Sequence, residues 1–160
     1  MRTSARFFVA ITLLCLFPGW SASAVQSNEA AVIDKFIARQ AEKAGGSEPE
    51  GIRKILTGDL NNDGVADAAE LFTIEGQNGS NNYVQYLAVF LRKNGRLVYA
   101  AHAPVGGKNR RSIELTSIKD NVIFLDTTAY AKRDPSYCPT IKGRTKYALA
   151  RNKLAELGRR

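Results

Sequence analysis

Residues 83–103 read YVQYLAVFLRKNGRLVYAAHA. The first nine, 83–91, are β-branched, aromatic or apolar at both alternating positions, which describes a strand covered on two sides. Asn94-Gly95 is the strongest hairpin signal in the chain, since both residues tolerate the positive φ of a type I′ turn. Residues 96–103 then return antiparallel. Outward from this hairpin, a period of two recurs with a turn signal every ten to fifteen residues. Strands are expected at 71–74, 112–118, 122–130, 144–150 and 153–157, with turns at Gly106-Gly107, Asp120-Asn121 and Arg151-Asn152. The spacing predicts a different element at 25–44. Val32, Ile33, Phe36, Ile37 and Ala41 recur at helical intervals, Ser27 or Asn28 can cap the start, and Gly45-Gly46 ends it. The expected class is α+β, mainly β: an N-terminal helix covering one face of an antiparallel meander of six or seven strands.

The 160 residues suffice for one domain. The start reads as an address. Arg2 and Arg6 precede an eleven-residue apolar run at 7–17, Pro18-Gly19 breaks it, and Ala22-Ser23-Ala24 is a small-x-small cleavage pattern. The run is too short to span a bilayer, which takes about 18 apolar residues or more. The expectation is a signal peptide at 1–24, a single globular domain at 25–160 with its β-rich part at 52–158, and a periplasmic or secreted protein without a transmembrane segment after cleavage. Cleavage also removes Cys15 and leaves Cys138 alone, so no intramolecular disulfide is expected.

Residues 59–70 read DLNNDGVADAAE and fit D-x-[DN]-x-[DN]-G-x5-E at every ligand position. A calcium ion takes six to eight hard oxygens at ~2.3–2.6 Å. Asp59, Asn61 and Asp63 alternate along the turn and can aim side-chain oxygens at one centre. Gly64 permits the sharp bend, Val65 can offer its carbonyl, Asp67 can ligate directly or through water, and Glu70 can ligate bidentately. Residues 55–75 hold five acids and no base, and clustered carboxylates repel unless a cation or a proton sits among them. One Ca²⁺ is expected, with a structural role. The other reading of the stretch is an Asx-rich turn whose side chains cap their own backbone.

An EF-hand has a helix on each side of this loop, whereas residues 71–74 read as a strand. The run GDLNNDGVAD at 58–67 resembles the calcium loop of FG-GAP (integrin α-type) repeats, G-D-x-N-x-D-G-x-x-D, which joins β-strands. The resemblance implies ligation by Asp59, Asn61, Asp63 and Asp67, and Glu70 lies outside it. The segment DPSYCP at 134–139 is similar to one found in a group of exported bacterial proteins, which implies a compartment and no activity.

Charge divides along the chain. Residues 92–160 carry sixteen Lys or Arg against five acids, and residues 25–91 carry five against ten. A basic half invites an anionic partner, with nucleic acid the least expected for an exported protein. The 131–143 loop offers Lys132, Arg133, Tyr137 and, at its edge, Tyr130, residue types common at interfaces. The favoured role is non-enzymatic binding in the bacterial envelope, of inhibitor or immunity type, with a protein or an anionic envelope component as partner. Two alternatives stand beside it. One is an enzyme using Cys138, with His102 as the sole histidine, or using the metal. The other is a structural envelope component held through its basic half.

Overall fold

The computed structural model describes residues 22–135 and 138–158. The expected leader falls outside these residues except for its last three positions. One helix, α1 (Ala22–Ala44), precedes eight strands. They are β1 (Lys54–Gly58), β2 (Asp67–Glu75), β3 (Tyr83–Lys93), β4 (Arg96–Gly107), β5 (Arg111–Lys119), β6 (Val122–Ala129), β7 (Ile141–Ala150) and β8 (Lys153–Leu157). They form one sheet in strict chain order, antiparallel throughout. Among the described residues no helix is long and apolar enough to cross a membrane.

The strand count exceeds the expected six or seven because β1 is a strand. Its five residues, KILTG, lie mostly exposed, with Ile55 47% exposed, so they give no run of buried alternation to read. Strand β2 also starts four residues earlier than 71–74, since Ala68, Ala69 and Glu70 lack strand-forming side chains. Strand β4 runs through Gly106-Gly107, where a turn was expected. The reversal comes at 108–110, with Asn109 at φ 60°. The three two-residue turns behave as read: Asn94-Gly95, Asp120-Asn121 and Arg151-Asn152 all have positive φ at both positions. The helix runs past Ser27 and Asn28, so neither marks its start.

Strands β4 and β5 share a single register pair, Gly107↔Arg111. The sheet folds over at that corner, bringing β1 against β5 and β4 against β8. The inner faces of β1–β4 and β5–β8 enclose one core, with Leu71, Leu87, Val89, Leu115, Ile123 and Leu125 at its centre. A second cluster seats α1 on the other side of β2–β4, where Ile33, Ile37 and Ala41 meet Phe72, Ile74, Ala88 and Phe90. Phe36 lies edge-on to Phe72 and Phe90, at 6.1 and 5.5 Å between ring centres. Burial of each large apolar side chain contributes about 1.5–3 kcal/mol.

Polar side chains brace the corner. Gln85 on β3 accepts from the Ile113 amide at 2.8 Å and donates to the Ile113 carbonyl at 3.1 Å, bonds that a neighbouring strand would otherwise make. Arg111 donates to the Val105 carbonyl at 2.8 Å, to Glu156 at 2.9 Å and to the Tyr147 hydroxyl at 3.2 Å, which ties β5 to β4, β7 and β8. A Cβ on Gly106 would lie 2.7 Å from the Arg111 carbonyl oxygen, the Gln85 amide oxygen and Ile113 Cγ1. Gly106→Ala is therefore expected to destabilise the protein by about 1–3 kcal/mol through overpacking, read as a lower midpoint in urea unfolding. Gly95→Ala, with nothing within 4 Å of the added Cβ, isolates the cost of the backbone conformation alone.

Candidate metal centre

The 59–66 loop leaves β1 at Gly58 and enters β2 at Asp67. Both ends are anchored. A Cβ on Gly58 would lie 2.6 Å from Ile118 of β5, so the exit from β1 packs directly against the second half of the sheet. Leu60 is 2% exposed and belongs to the inner core. Asp67 is fully buried and accepts the Leu60 amide at 3.0 Å and the Arg92 amide at 2.7 Å. The Arg92 side chain donates to the Ala66 carbonyl at 2.9 Å and pairs with Glu29 on α1.

Between these anchors the acidic side chains turn inward onto the loop's own backbone. Asp59 accepts the amides of Asn61, Asn62 and Gly64, at 3.2, 2.7 and 2.9 Å. These donors, Gly64 first, hold its carboxyl below the usual carboxylate range. Asn61 accepts the Asp63 amide at 3.1 Å and donates its own amide group to Asp63 at 2.8 Å. Asp63 in turn accepts the Val65 amide at 2.8 Å. Asn62 at φ 65° and Gly64 at φ 79° make the bends this wrapping requires. Among the described residues no ion pair joins Asp59 or Asp63.

The structure thus brings Asp59, Asn61 and Asp63 into one turn, leaves Val65 exposed at its rim, and spends both Asp67 oxygens on backbone amides. Glu70 goes elsewhere. It sits in mid-sheet between Ile55 and Ala88, fully buried, with Arg53 Nε 3.7 Å away and no hydrogen-bond partner on either oxygen. Arg53 is itself held by Glu48, at 2.6 and 2.5 Å, and by Asp34 of α1. Three carboxylates therefore share one guanidinium. Among the described residues no three His, Cys, Asp or Glu side chains converge as a metal-ligating group.

The second candidate site lies at the other end. In a meander, alternate connections fall on opposite ends, so the 130–140 loop shares its end with the 76–82 and 108–110 connections. Asp134 closes that loop by accepting the Ala131 amide at 2.7 Å and the Thr140 amide at 2.9 Å. Lys132 and Arg133 are exposed, Tyr130 is half-buried, and Tyr137 lies outside the described residues. Cys138 is exposed in the same loop. His102 sits on β4 under α1, with its Nδ1 2.7 Å from the Tyr99 hydroxyl and its ring 5.4 Å from that of Phe36. Burial first, and then Lys43, pushes the imidazole pKa down. Among the described residues no hydrogen bond joins the thiol to the imidazole.

The cluster around Arg53 was not singled out from the sequence, although a signal was present. In 67–75, DAAELFTIE, Glu70 has the same parity as Ala68, Phe72 and Ile74, which period two places beneath the helix. Comparison with protein-family models, with curated proteins and with solved structures finds no match to this chain.

Burial pushes the Glu70 carboxyl up to about 7, against the pull of Arg53 and helped by Glu48 and Asp34. A folded-state value above the unfolded one means that the folded protein binds the proton more tightly. Stability is then greatest below the unfolded value, near 4.5, and falls as pH rises through about 7. Glu70→Gln is expected to flatten that fall and to raise stability at pH 8 by roughly 1–3 kcal/mol. Urea unfolding of both proteins at pH 5 and pH 8 measures it, and parallel pH profiles would refute the assignment.

Proposed function

We propose that the chain is an exported, calcium-binding β-domain that works by holding a partner in the bacterial envelope, as an inhibitor or immunity-type protein does. The observation that carries the calcium part is the 59–66 turn. It gathers hard oxygen donors from Asp59, Asn61 and Asp63 and is braced at both ends by Leu60 and Asp67. Neither Asp59 nor Asp63 has a cationic partner among the described residues, which suits them to a divalent ion. The Val65 carbonyl would join them, and Asp67, whose oxygens already accept two backbone amides, would brace the loop. Glu70 is left out of it, because its carboxylate faces Arg53. Bound calcium would stiffen the β1–β2 connection and stabilise the fold by linkage.

Export and the binding role are supported by the leader-like start of the sequence and by the split of charge along the chain.

The test is calorimetric and thermal. Titration with CaCl₂ is expected to release or absorb heat with one site per chain. At calcium a hundredfold above the dissociation constant, linkage adds about 2.7 kcal/mol, which for a domain of this size raises Tm by roughly 5–10 °C over the chelated protein. Asp63→Ala is expected to abolish both effects. A heatless titration, together with the same Tm in calcium and in chelator, would overturn the proposal.

A further inference from the structure

The two outer faces of the folded sheet are treated differently. Helix α1 covers the outside of β2–β4. Over the outside of β5–β8 no described element lies, and the alternation of the strands shows what that face presents. On β7, Thr145 and Tyr147 point into the core, whereas Lys142, Arg144 and Lys146 are exposed on the other side. Their partners on β6 are Thr128, Asp126 and Phe124. On β8, Leu154 packs inward and Lys153 and Leu157 are exposed. Lys119 ends β5 on the same outer side.

The charges on this face do not cancel. Its two carboxylates are already engaged, Glu114 with Lys54 at 3.3 Å and Asp126 with Arg144 at 2.9 Å. Lys119, Lys142, Lys146 and Lys153 have no ion pair among the described residues. Lys146 stands 5.3 Å above the centre of the Phe124 ring, and Leu157 is Lys146's partner on β8. The face therefore carries four lysines without an ion pair among the described residues, one of them over the Phe124 ring. Beside it, a recess of about 560 Å³ opens along Glu114, Asp126, Thr128, Lys142, Gly143 and Arg144, its two carboxylates being the ones already paired.

We infer that the outer face of β5–β8 is the docking surface for an acidic protein, whose carboxylates meet the four lysines and whose projecting side chains enter the recess. The inference deepens the partner-binding reading above and rests on it, but it does not depend on the calcium loop. Charge complementarity selects an anionic occupant. The shape selects a folded or peptide partner over a lipid surface. The face's aromatic ring lies beneath Lys146 instead of projecting as a membrane anchor would, and the recess admits a protruding side chain.

The probe is poly-L-glutamate, titrated into the full chain, with phosphatidylglycerol vesicles and inorganic polyphosphate as competing anions. Binding to polyglutamate is expected to weaken at least tenfold between 50 and 300 mM NaCl. Lys142→Glu with Lys146→Glu is expected to weaken it tenfold or more at low salt. Lys35→Glu with Arg39→Glu, an equal charge change on the exposed side of α1, is expected to leave it within twofold. Lysine acetylation of the unaltered protein gives a reading that needs no variant: polyglutamate is expected to shield Lys142 and Lys146 and to leave Lys35 reactive. Equal losses in the two double variants, or equal shielding of all lysines, would overturn the localisation. Binding to vesicles or polyphosphate without binding to polyglutamate would overturn the choice of an acidic protein. A heatless calcium titration of the unaltered protein, with polyglutamate binding to the lysine face intact, would overturn the ion reading and leave this surface standing.

Discussion

Strands β2 and β3 are buried on both faces, and that double burial governs the rest of the molecule. Leu87, Val89 and Leu91 of β3 belong to the core between the two halves of the sheet, and Ala88 and Phe90 belong to the layer beneath α1. A strand with no wet face needs two covers. The helix supplies one, and the fold-over at Gly107↔Arg111 supplies the other. An antiparallel sheet normally leaves one face in water. Here β2 and β3 do not, whereas β7 and β8 do, and their exposed lysines gather on one outer surface.

The same constraint sorts the acids. A carboxylate on β2 cannot reach solvent by choosing a face. Asp67, at the strand's start, resolves this by accepting two backbone amides. Glu70, in mid-strand, has Arg53 nearby and no hydrogen bond. An ionised carboxylate so placed is costly, and its protonated form is favoured. Among the described residues, Arg53 and Arg92 also make the ion pairs that hold α1, through Asp34 and Glu29. Because Arg92 also holds the Ala66 carbonyl, the helix and the acidic loop are joined through one side chain. A rigid loop therefore also steadies the helix.

What could be read in advance follows from where each signal resides. The central hairpin was legible because apolar residues at both parities, followed by Asn-Gly, leave few alternatives. The helix was legible because its buried positions, Ile33, Ile37 and Ala41, keep a strict helical interval. Strand β1 was hidden because its pairing with β2 rests on backbone bonds and few buried side chains, which no pattern of residue types records. The turn misplaced at Gly106-Gly107 has a different origin. Those glycines are there for close approach, to the Arg111 carbonyl and to Tyr83, and not for reversal. At the acidic loop, spacing placed Asp59, Asn61 and Asp63 in one turn. It could not place Glu70, whose direction depends on the face of a strand that begins inside the motif.

The division of charge in the sequence becomes a division in space. Residues up to Leu91 supply α1, β1, β2 and nearly all of β3, with the acidic excess, and residues from Arg92 onward supply the basic excess. Electrostatic coupling between the proposed ion and the proposed docking face is shortest at their shared end, where Gly58 packs on Ile118, the residue before Lys119. Around the outside it is screened beyond about 8–10 Å at ordinary ionic strength. Through the apolar core, of lower dielectric than water, it is screened less. The proposed ion would therefore raise the stability of the whole domain and bear on Lys119, at its own end of the face, more than on Lys142 at the other.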